Sequence, residues 1–311
     1  MVETATLMKH LNYFNNQNPY STEIFQASFS LENVMGNSIE LALQSCQQSF
    51  KWSRWNCPST DFFMRRTSKP LQLDREDAYV TAIAMSAILY TITKDCASGL
   101  INDCRVSKEN SIVTQCAEDP KKALQIYEQH IGAITFNSDF HGSVLKHNHK
   151  VITNLLSKSL VQQCGCASMG VTGCTNEICI NVLKPFAEIA ADIYQMYENA
   201  IELNNNFINS RVIWENVPLD SLVFMKESPN YCEPDAVLNW NGVRGRQCST
   251  ANEEYVSTQE RESCQTLCHG CGFKVVAQNQ VTERRCNCKL TWGFQVQCDT
   301  CVNVERQYYC Y

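Results

Sequence analysis

Cysteine is the residue type whose number and spacing carry most of the chemistry of this chain. The 311 residues include 19 cysteines, and ten of them lie between Cys232 and Cys310. Thiols at that density are open to oxidation and scrambling unless they pair with each other or bind metal ions. The sequence therefore predicts either the disulfide framework of a secreted protein or a set of zinc sites.

The zinc alternative has one specific candidate. Two C-x2-C pairs, Cys268/Cys271 and Cys298/Cys301, could supply four sulfurs to one tetrahedral ion. The neighbouring pair at 286–288 is C-x-C, and the remaining cysteines are spread too widely to be further zinc ligands. We therefore expect disulfides and no metal site.

Catalytic chemistry has no comparable signal. His141, His147 and His149 lie close together, but no G-x-S-x-G, H-E-x-x-H or phosphate-binding loop accompanies them. Histidines near the start of a helix are more often solvated surface groups, although a weak metal contact from His147 and His149 stays open. We expect a protein that is not an enzyme and has no cofactor.

Charge and hydropathy exclude two classes of partner. The formal net charge is -6 and no basic stripe is present, which disfavours nucleic acid and anionic membranes. No apolar run is long enough to span a bilayer, so we expect no direct membrane insertion. The first residues, MVETATLMKHLNYFNN, lack the apolar core of a signal peptide. With the cysteines, this predicts a secreted, extracellular chain whose signal peptide is absent.

Apolar periodicity predicts helices in the first two thirds of the chain. Residues 77–94 and 183–203 place apolar side chains at helical spacing, and 144–161 and 24–50 are two further candidates. We therefore predict an N-terminal α-helical domain at 1–207, built as a mainly α bundle.

A linker and a smaller domain follow. Pro218 and Pro229 mark a stretch of proline and polar residues typical of a linker, which we place at 208–230. Residues 231–311 have few long apolar runs and many cysteines, as expected where cross-links replace a large core. The prediction is a C-terminal cysteine-rich domain with a β-hairpin.

The hairpin is predicted near the C-terminus. Residues 286–292 and 294–300 alternate apolar or cysteine with polar residues at period two, on either side of Gly293. In an antiparallel hairpin the numbers of two directly opposed residues add up to a nearly constant sum. The sums for Cys288–Cys298 and Cys286–Cys301 differ by one, so both pairs can bridge the hairpin if a bulge absorbs one residue. The aromatic tip predicts a contact with a partner, and the alternative is that the tip tryptophan folds back on the hairpin.

Seven short sequences join the cysteines in the order of a known family. The chain resembles the Wnt family through Cys46-Gln-Gln-Ser-Phe50, Arg54-Trp-Asn-Cys57, Cys96-Ala-Ser-Gly99 with Cys104, Cys164-Gly-Cys166 with Cys174 and Cys179, Ser228-Pro-Asn-Tyr-Cys232, Gly245-Arg-Gln-Cys248, and Cys286-Asn-Cys-Lys-Leu-Thr-Trp292. The resemblance covers nearly the whole chain, from about Gly36 to Cys310.

The resemblance implies a two-domain architecture with two gripping hairpins. In the family, a thumb hairpin of the helical domain and an index finger of the cysteine-rich domain hold the cysteine-rich domain of a Frizzled receptor, and a co-receptor can join. By this resemblance the receptor-binding residues are the thumb loop and the finger tip: Ser168, Met169, Gly170, Val171, Thr172, Leu290, Trp292, Gly293 and Phe294.

The resemblance also implies a disulfide pairing. Besides the two finger bridges, it joins Cys46–Cys57, Cys96–Cys104, Cys164–Cys179, Cys166–Cys174, Cys232–Cys271, Cys248–Cys264 and Cys268–Cys310. Cys116 is left over, and we expect it to be a buried free thiol rather than a point of intermolecular pairing.

Two departures from the family bear on its lipid and its receptor. In members of the family, a serine of the thumb is esterified with a fatty acid. The corresponding position here is Gly170 or Val171, neither of which has a hydroxyl. We expect no lipidation, although Thr172 and Ser168 lie close enough for a shifted acceptor to stay open. At the finger, Gly293-Phe294 stands where the family has two adjacent cysteines, so receptor choice is expected to differ.

Within the family, the chain resembles a divergent member without the lipid acceptor. This implies a secreted ligand of Frizzled receptors that acts in developmental signalling and dorsoventral patterning, and in innate immunity as a feedback inhibitor of Toll/Dorsal signalling. The alternative is a cysteine-rich extracellular matrix or zinc-binding protein. Matrix proteins of that kind tend to repeat a module, and no internal repeat is visible here.

Overall fold

The structure is a computed structural model that describes residues 28–67, 73–101, 104, 117–130, 140–171, 173–203, 217–236, 240–251, 253–291 and 295–311. The predicted free thiol, Cys116, lies outside these residues. The described chain has a helical N-terminal part and a C-terminal part in which disulfides and strands predominate. The fold class predicted from the sequence is therefore confirmed.

The α-helices lie mainly in the first two thirds of the chain, as predicted, with ends a few residues from those expected. They are α1 Ser28–Ser49, α2 Ser59–Thr67, α3 Arg75–Ala97, α4 Pro120–His130, α5 Phe140–Lys158, α6 Phe186–Glu198 and α7 Thr258–Arg261. A π-helical turn, Cys264–Cys268, and a 3-10 turn, His269–Cys271, follow α7.

The strands form two long hairpins and two short pairings. They are β1 Leu160–Gly170, β2 Gly173–Leu183, β3 Ile201–Glu202, β4 Val223–Phe224, β5 Gln247–Cys248, β6 Val275–Thr291 and β7 Gln295–Cys310. β1 pairs with β2, β3 lies parallel to β4, and β7 lies between β5 and β6.

The described chain divides into two compact units. One contains the described residues within 1–40, 87–133 and 161–182, and so includes nearly all of the β1–β2 hairpin. The other contains the described residues within 41–86, 134–160 and 183–311, and so includes the β6–β7 hairpin. The domain boundaries drawn from composition, 1–207, 208–230 and 231–311, stay a prediction.

Helix α3 begins at a cap built from two aspartates. Asp74 Oδ1 accepts a hydrogen bond from the Asp77 backbone N–H at 2.7 Å, and Asp77 Oδ2 accepts one from the Leu73 N–H at 2.8 Å. These bonds satisfy backbone donors that the first turn of a helix leaves without a partner. Beyond the cap, the helix is buried on nearly all sides from Ala78 to Leu89, which its almost unbroken apolar sequence allows.

The same cap carries a buried cluster of charges around one arginine. The Arg65 guanidinium contacts Asp61, Asp74 and Asp77 at 2.9, 2.6 and 2.7 Å, and it also donates to the Tyr231 hydroxyl at 3.1 Å. Burial alone lowers the pKa of Arg65, but the surrounding carboxylates outweigh it and raise the pKa overall. The cluster ties α2, the start of α3 and the segment around Tyr231 together.

Carboxylates outnumber the single arginine in this cluster. Glu76 is also buried, and one oxygen each of Asp74 and Glu76 has no hydrogen-bond partner. Burial, together with the charge of Asp74, raises the pKa of Glu76 and raises the pKa of Asp77 to about 6. The folded chain therefore binds protons here at a pH where the unfolded chain has released them.

We expect Asp77 to make the folded state more stable in mild acid. Its pKa rises from 3.8 to about 6 on folding, so its contribution is fully present below about pH 4 and is lost as the pH rises through about 6. The free energy of unfolding of the native chain minus that of Asp77→Asn should grow by about 2 to 3 kcal/mol from pH 7 to pH 4. Urea unfolding at each pH measures it, and a pH-independent difference would contradict the assignment.

One asparagine completes the short parallel pairing. The Asn148 side chain donates to the Val223 carbonyl and accepts from the Val223 N–H, both at 2.9 Å, and so pairs with the edge of β4 in place of another strand. Leu73, Val144 and Leu203 pack with Val223 in one buried cluster. This part of the predicted linker is therefore packed and hydrogen-bonded.

Candidate functional site

The β1–β2 hairpin carries the predicted thumb loop at its turn. Cys164–Cys179 and Cys166–Cys174 cross-link its two strands. Met169 is 78% exposed and Val171 is 107% exposed, while Thr172 lies outside the described residues. An isolated two-stranded ribbon is only marginally stable in water, so the two disulfides hold a ribbon that presents apolar side chains to solvent.

The hydroxyl of Ser168, one of the two nearby acyl-acceptor alternatives, is bonded within the thumb. Its Oγ lies 2.8 Å from Thr175 Oγ1, and the Thr175 hydroxyl lies 3.1 Å from the Ser168 carbonyl, to which it donates. Because Thr175 has only one hydroxyl hydrogen, Ser168 donates the bond between the two side chains. The Ser168 oxygen is thus held against β2 rather than directed from the end of the turn.

The β6–β7 hairpin is the predicted finger, and it is longer than expected. The antiparallel pairing runs from Val275 opposite Cys310 to Thr291 opposite Gln295, with a register shift between Cys286 and Lys289. Within this shift Asn287 has φ 48°, a left-handed conformation that asparagine tolerates better than most residues. The bulge expected from the numbering of the cysteines lies here.

The predicted register of the finger bridges is wrong for one of the two. Cys286 lies opposite Asp299, and Arg284 lies opposite Cys301, so the Cys286–Cys301 disulfide crosses the ribbon diagonally. If both cysteine pairs were directly opposite each other, the strand with the one extra residue of the bulge would be β7. In the structure the extra residue lies on β6. Cys288 and Cys298 lie within this register shift, and their disulfide joins Cα atoms 4.0 Å apart.

Only the flanks of the finger tip lie in the described structure. Leu290 is 68% exposed and lies opposite Val296, which is 66% exposed. Trp292, Gly293 and Phe294 lie outside the described residues, so their role as a contact stays a prediction. Each of the two ribbons is cross-linked by disulfides and has exposed apolar side chains near its turn.

Comparison with known families decides what kind of protein carries these ribbons. The sequence model of the Wnt family matches residues 14–311. The chain belongs to the Wnt family. Wnt proteins are secreted signalling ligands rather than enzymes. None of the helices in the described ranges combines the length and apolar character needed to cross a membrane.

Individual relatives place the chain among divergent Wnts. The Wnt inhibitor of Dorsal protein of Drosophila melanogaster is 51% identical over 296 residues, which cover 94% of this chain and 92% of that protein. Protein Wnt-8a of Danio rerio is 27% identical over 289 residues, which cover 86% of this chain and 80% of the relative. The sequence-based resemblance to a divergent member is therefore confirmed.

Two solved structures agree with this fold. The crystal structure of the Drosophila WntD N-terminal domain and linker, residues 31–240, is 46% identical, with a TM-score of 0.54, and covers 65% of this chain and 98% of that one. Human WLS in complex with WNT8A matches with 24% identity and a TM-score of 0.69, over 96% of this chain and 99% of that one. The second match supports the Wnt fold alone.

The structure joins the cysteine pairs that the Wnt resemblance implies. They are Cys46–Cys57, Cys96–Cys104, Cys164–Cys179, Cys166–Cys174, Cys232–Cys271, Cys248–Cys264, Cys268–Cys310, Cys286–Cys301 and Cys288–Cys298. The cysteines of the alternative zinc site each have a different disulfide partner, so those sulfurs do not come together around an ion.

His147 differs from the solvated surface group expected of it, whereas His141 is exposed as expected and His149 is partly buried. His147 is buried, and its Nε2 lies 3.0 Å from the Ser221 carbonyl oxygen. Burial lowers the pKa of His147 and of His149. The helix-start position gave no indication of this, because Ser221 lies 74 residues further along the chain.

The base of the Wnt finger is anchored in a disulfide-rich core that the sequence did not reveal in detail. Cys248, Cys264, Cys268 and Cys310 are buried there with Leu267. β5 pairs with the end of β7, where Cys248 lies opposite Tyr308. The finger is therefore covalently fixed at its base, while its outer part is exposed.

Arg246 fixes this base to the loop that carries the RWNC motif. Its guanidinium donates to the carbonyl oxygens of Lys51, Ser53 and Arg54 at 3.0, 2.7 and 2.5 Å. Burial lowers the pKa of Arg246 to about 10. The G-R-Q-C motif of the Wnt resemblance thus has a structural role in this chain, since its arginine caps three backbone carbonyls.

Proposed function

We propose that this chain is a secreted Wnt ligand that binds the cysteine-rich domain of a Frizzled receptor through protein contacts, without a fatty-acyl group. The observation that carries the proposal is the exposure of apolar side chains near the turns of two cross-linked ribbons: Met169 and Val171 on the thumb, and Leu290 on the finger. Rigid ribbons lose little conformational entropy on binding, which favours their use as contacts.

The absence of the acyl group is supported by the thumb residues themselves. Gly170 and Val171 offer no hydroxyl at the family's acceptor position, and the Ser168 hydroxyl is bonded to Thr175. An acyl chain contributes on the order of 0.8 kcal/mol for each buried CH2 group. A ligand without it needs more contact from its own side chains, and the exposed thumb and finger residues are where we place that contact.

The proposed biological output is taken from the relative with 51% sequence identity. The Drosophila protein is named an inhibitor of Dorsal, and the identity extends over nearly the full length of both chains. We propose the same output here: feedback inhibition of Toll/Dorsal signalling, in dorsoventral patterning and in innate immunity. A reporter of Dorsal activity in receptor-bearing cells, treated with purified protein, tests this output separately from receptor binding.

Receptor binding is expected to depend on both turns. Met169→Ser with Val171→Ser, and Leu290→Ser alone, should each weaken binding to a Frizzled cysteine-rich domain by about tenfold or more, because exposed apolar anchors lose their burial in the complex. Surface plasmon resonance against a panel of immobilised domains measures the affinity.

The matched control is Leu100→Ser. Leu100 is 67% exposed and lies outside both hairpins, so its replacement should leave affinity within about twofold. Equal losses in all three variants would indicate a general effect on folding, and unchanged affinity in the thumb and finger variants would remove both turns from the proposal.

A further inference from the structure

One face of the finger carries a column of mainly apolar side chains on β7. Alternate residues of β7 share a face, and that face carries Val296, Cys298, Thr300, Val302 and Val304. Val296, Val302 and Val304 are 66%, 60% and 57% exposed. β7 has no bulge over this range, so these side chains form one continuous column.

β6 extends the same face at both ends of the column. Val281 lies opposite Val304 and is 61% exposed, and Leu290 lies opposite Val296 and is 68% exposed. We call Val281, Leu290, Val296, Val302 and Val304 the finger face.

The opposite face of the ribbon is polar over the same length. It pairs Gln280 with Glu305, Thr282 with Asn303, and Lys289 with Gln297. The apolar residues are thus segregated and not scattered. Single exposed apolar residues are ordinary on protein surfaces, but a contiguous row of them marks a surface that another molecule covers.

Size argues against a second copy of this chain as that molecule. Ten residues at about 3.4 Å each, on two strands about 5 Å apart, give a strip of about 34 by 10 Å. Two such strips facing each other bury about 700 Å² in total, below the roughly 1,000 Å² that a stable interface needs. The finger face alone is therefore too small to hold two copies together, and a partner that covers it needs further contacts.

Charge indicates the chemistry of the partner. Glu283 lies opposite Val302 and Arg285 lies opposite Thr300, so one charge of each sign lies on the same face, beside the β7 column and between Val281 and Leu290. A lipid surface would favour basic residues on this face, whereas its two charges are of opposite sign. A protein with an apolar patch and an acidic group placed near Arg285 is complementary to it.

We propose that the finger face is a docking surface for the same receptor domain that binds the finger tip, so that the contact continues from Leu290 and Val296 along the shaft to Val281 and Val304. This inference rests on the proposed function and extends it. The added apolar contact is where this chain compensates for the absent acyl group.

The test compares the two faces of the ribbon in the full-length secreted chain. Val302→Thr with Val304→Thr changes the finger face while keeping side-chain shape and strand preference. Gln280→Thr with Asn303→Thr makes a matched change on the polar face. With immobilised Frizzled cysteine-rich domains as probe, we expect the first pair to weaken binding by about tenfold and the second by less than about twofold.

Trp292→Ala at the tip separates failure of this inference from failure of the proposed function. If Trp292→Ala weakens binding while Val302→Thr with Val304→Thr does not, the finger face is not a contact and the proposed function stands. If neither finger change matters but the thumb variant does, the receptor binds without the finger, which also overturns the inference. If the native chain binds no Frizzled domain, both are overturned.

Discussion

Arg65→Met is expected to lower the free energy of unfolding by about 3 to 5 kcal/mol at pH 7. Methionine fills similar space, so the loss comes from charge and not from a cavity. Without the guanidinium, Asp61, Asp74 and Asp77 would be buried side by side with no compensating cation. Urea unfolding at pH 7, followed by near-ultraviolet circular dichroism, measures the change.

The same variant should behave differently in acid, which tests the electrostatic origin of the effect. Burial already raises the pKa of Asp77 to about 6, so Asp77 takes up a proton between pH 7 and pH 4, and the penalty of Arg65→Met should shrink as the pH falls. A second variant that also carries Asp61→Asn, Asp74→Asn and Asp77→Asn should recover part of the loss at pH 7. A penalty that stays constant with pH would show that Arg65 acts through packing.

Phe50→Ala is expected to cost about 3 to 5 kcal/mol of unfolding free energy, the range for a fully buried aromatic side chain. The Phe50 ring is 1% exposed and lies edge-on to Trp55, Tyr79, Tyr194 and Tyr197, with ring centroids 4.8 to 5.1 Å apart. Its removal leaves a cavity between these four rings.

Phe50→Leu separates the cavity from the ring geometry. Leucine keeps much of the volume and loses only the edge-to-face contacts, which contribute about 0.5 to 1.5 kcal/mol for each aromatic pair. The leucine variant should therefore be clearly more stable than the alanine variant in the same urea titration. Equal stability of the two would mean that the surrounding rings close the cavity and that volume does not matter here.

The sequence was sufficient where the signal is local. Helix α3 follows from an uninterrupted apolar pattern with acidic residues at its start, and the alternation around Cys298 and Val296 predicts a strand. The finger extends further than predicted because its polar face and its apolar column continue to Val304, so the period-two pattern runs beyond the predicted ends of the strands.

Other features depend on partners far away in the chain. Arg65 bonds to Tyr231, 166 residues further on, and Arg246 caps carbonyls more than 190 residues before it. No periodicity or local motif specifies such pairs. The bulge is predictable only in part. The numbers of the cysteines indicate that a bulge must absorb one residue, but the backbone conformation at Asn287 decides which strand carries that residue.

The central claim is that a Wnt ligand without an acyl chain binds a Frizzled receptor through its own side chains. The measurement that tests it most directly is the affinity of the secreted, full-length chain for Frizzled cysteine-rich domains, made on protein of known intact mass. Nine disulfides lower the mass by about 18 Da relative to the reduced polypeptide, and any acyl group adds to it. We expect saturable binding by protein of unacylated mass. Binding confined to an acylated fraction, or no binding by the unacylated protein to any Frizzled domain, would contradict the account.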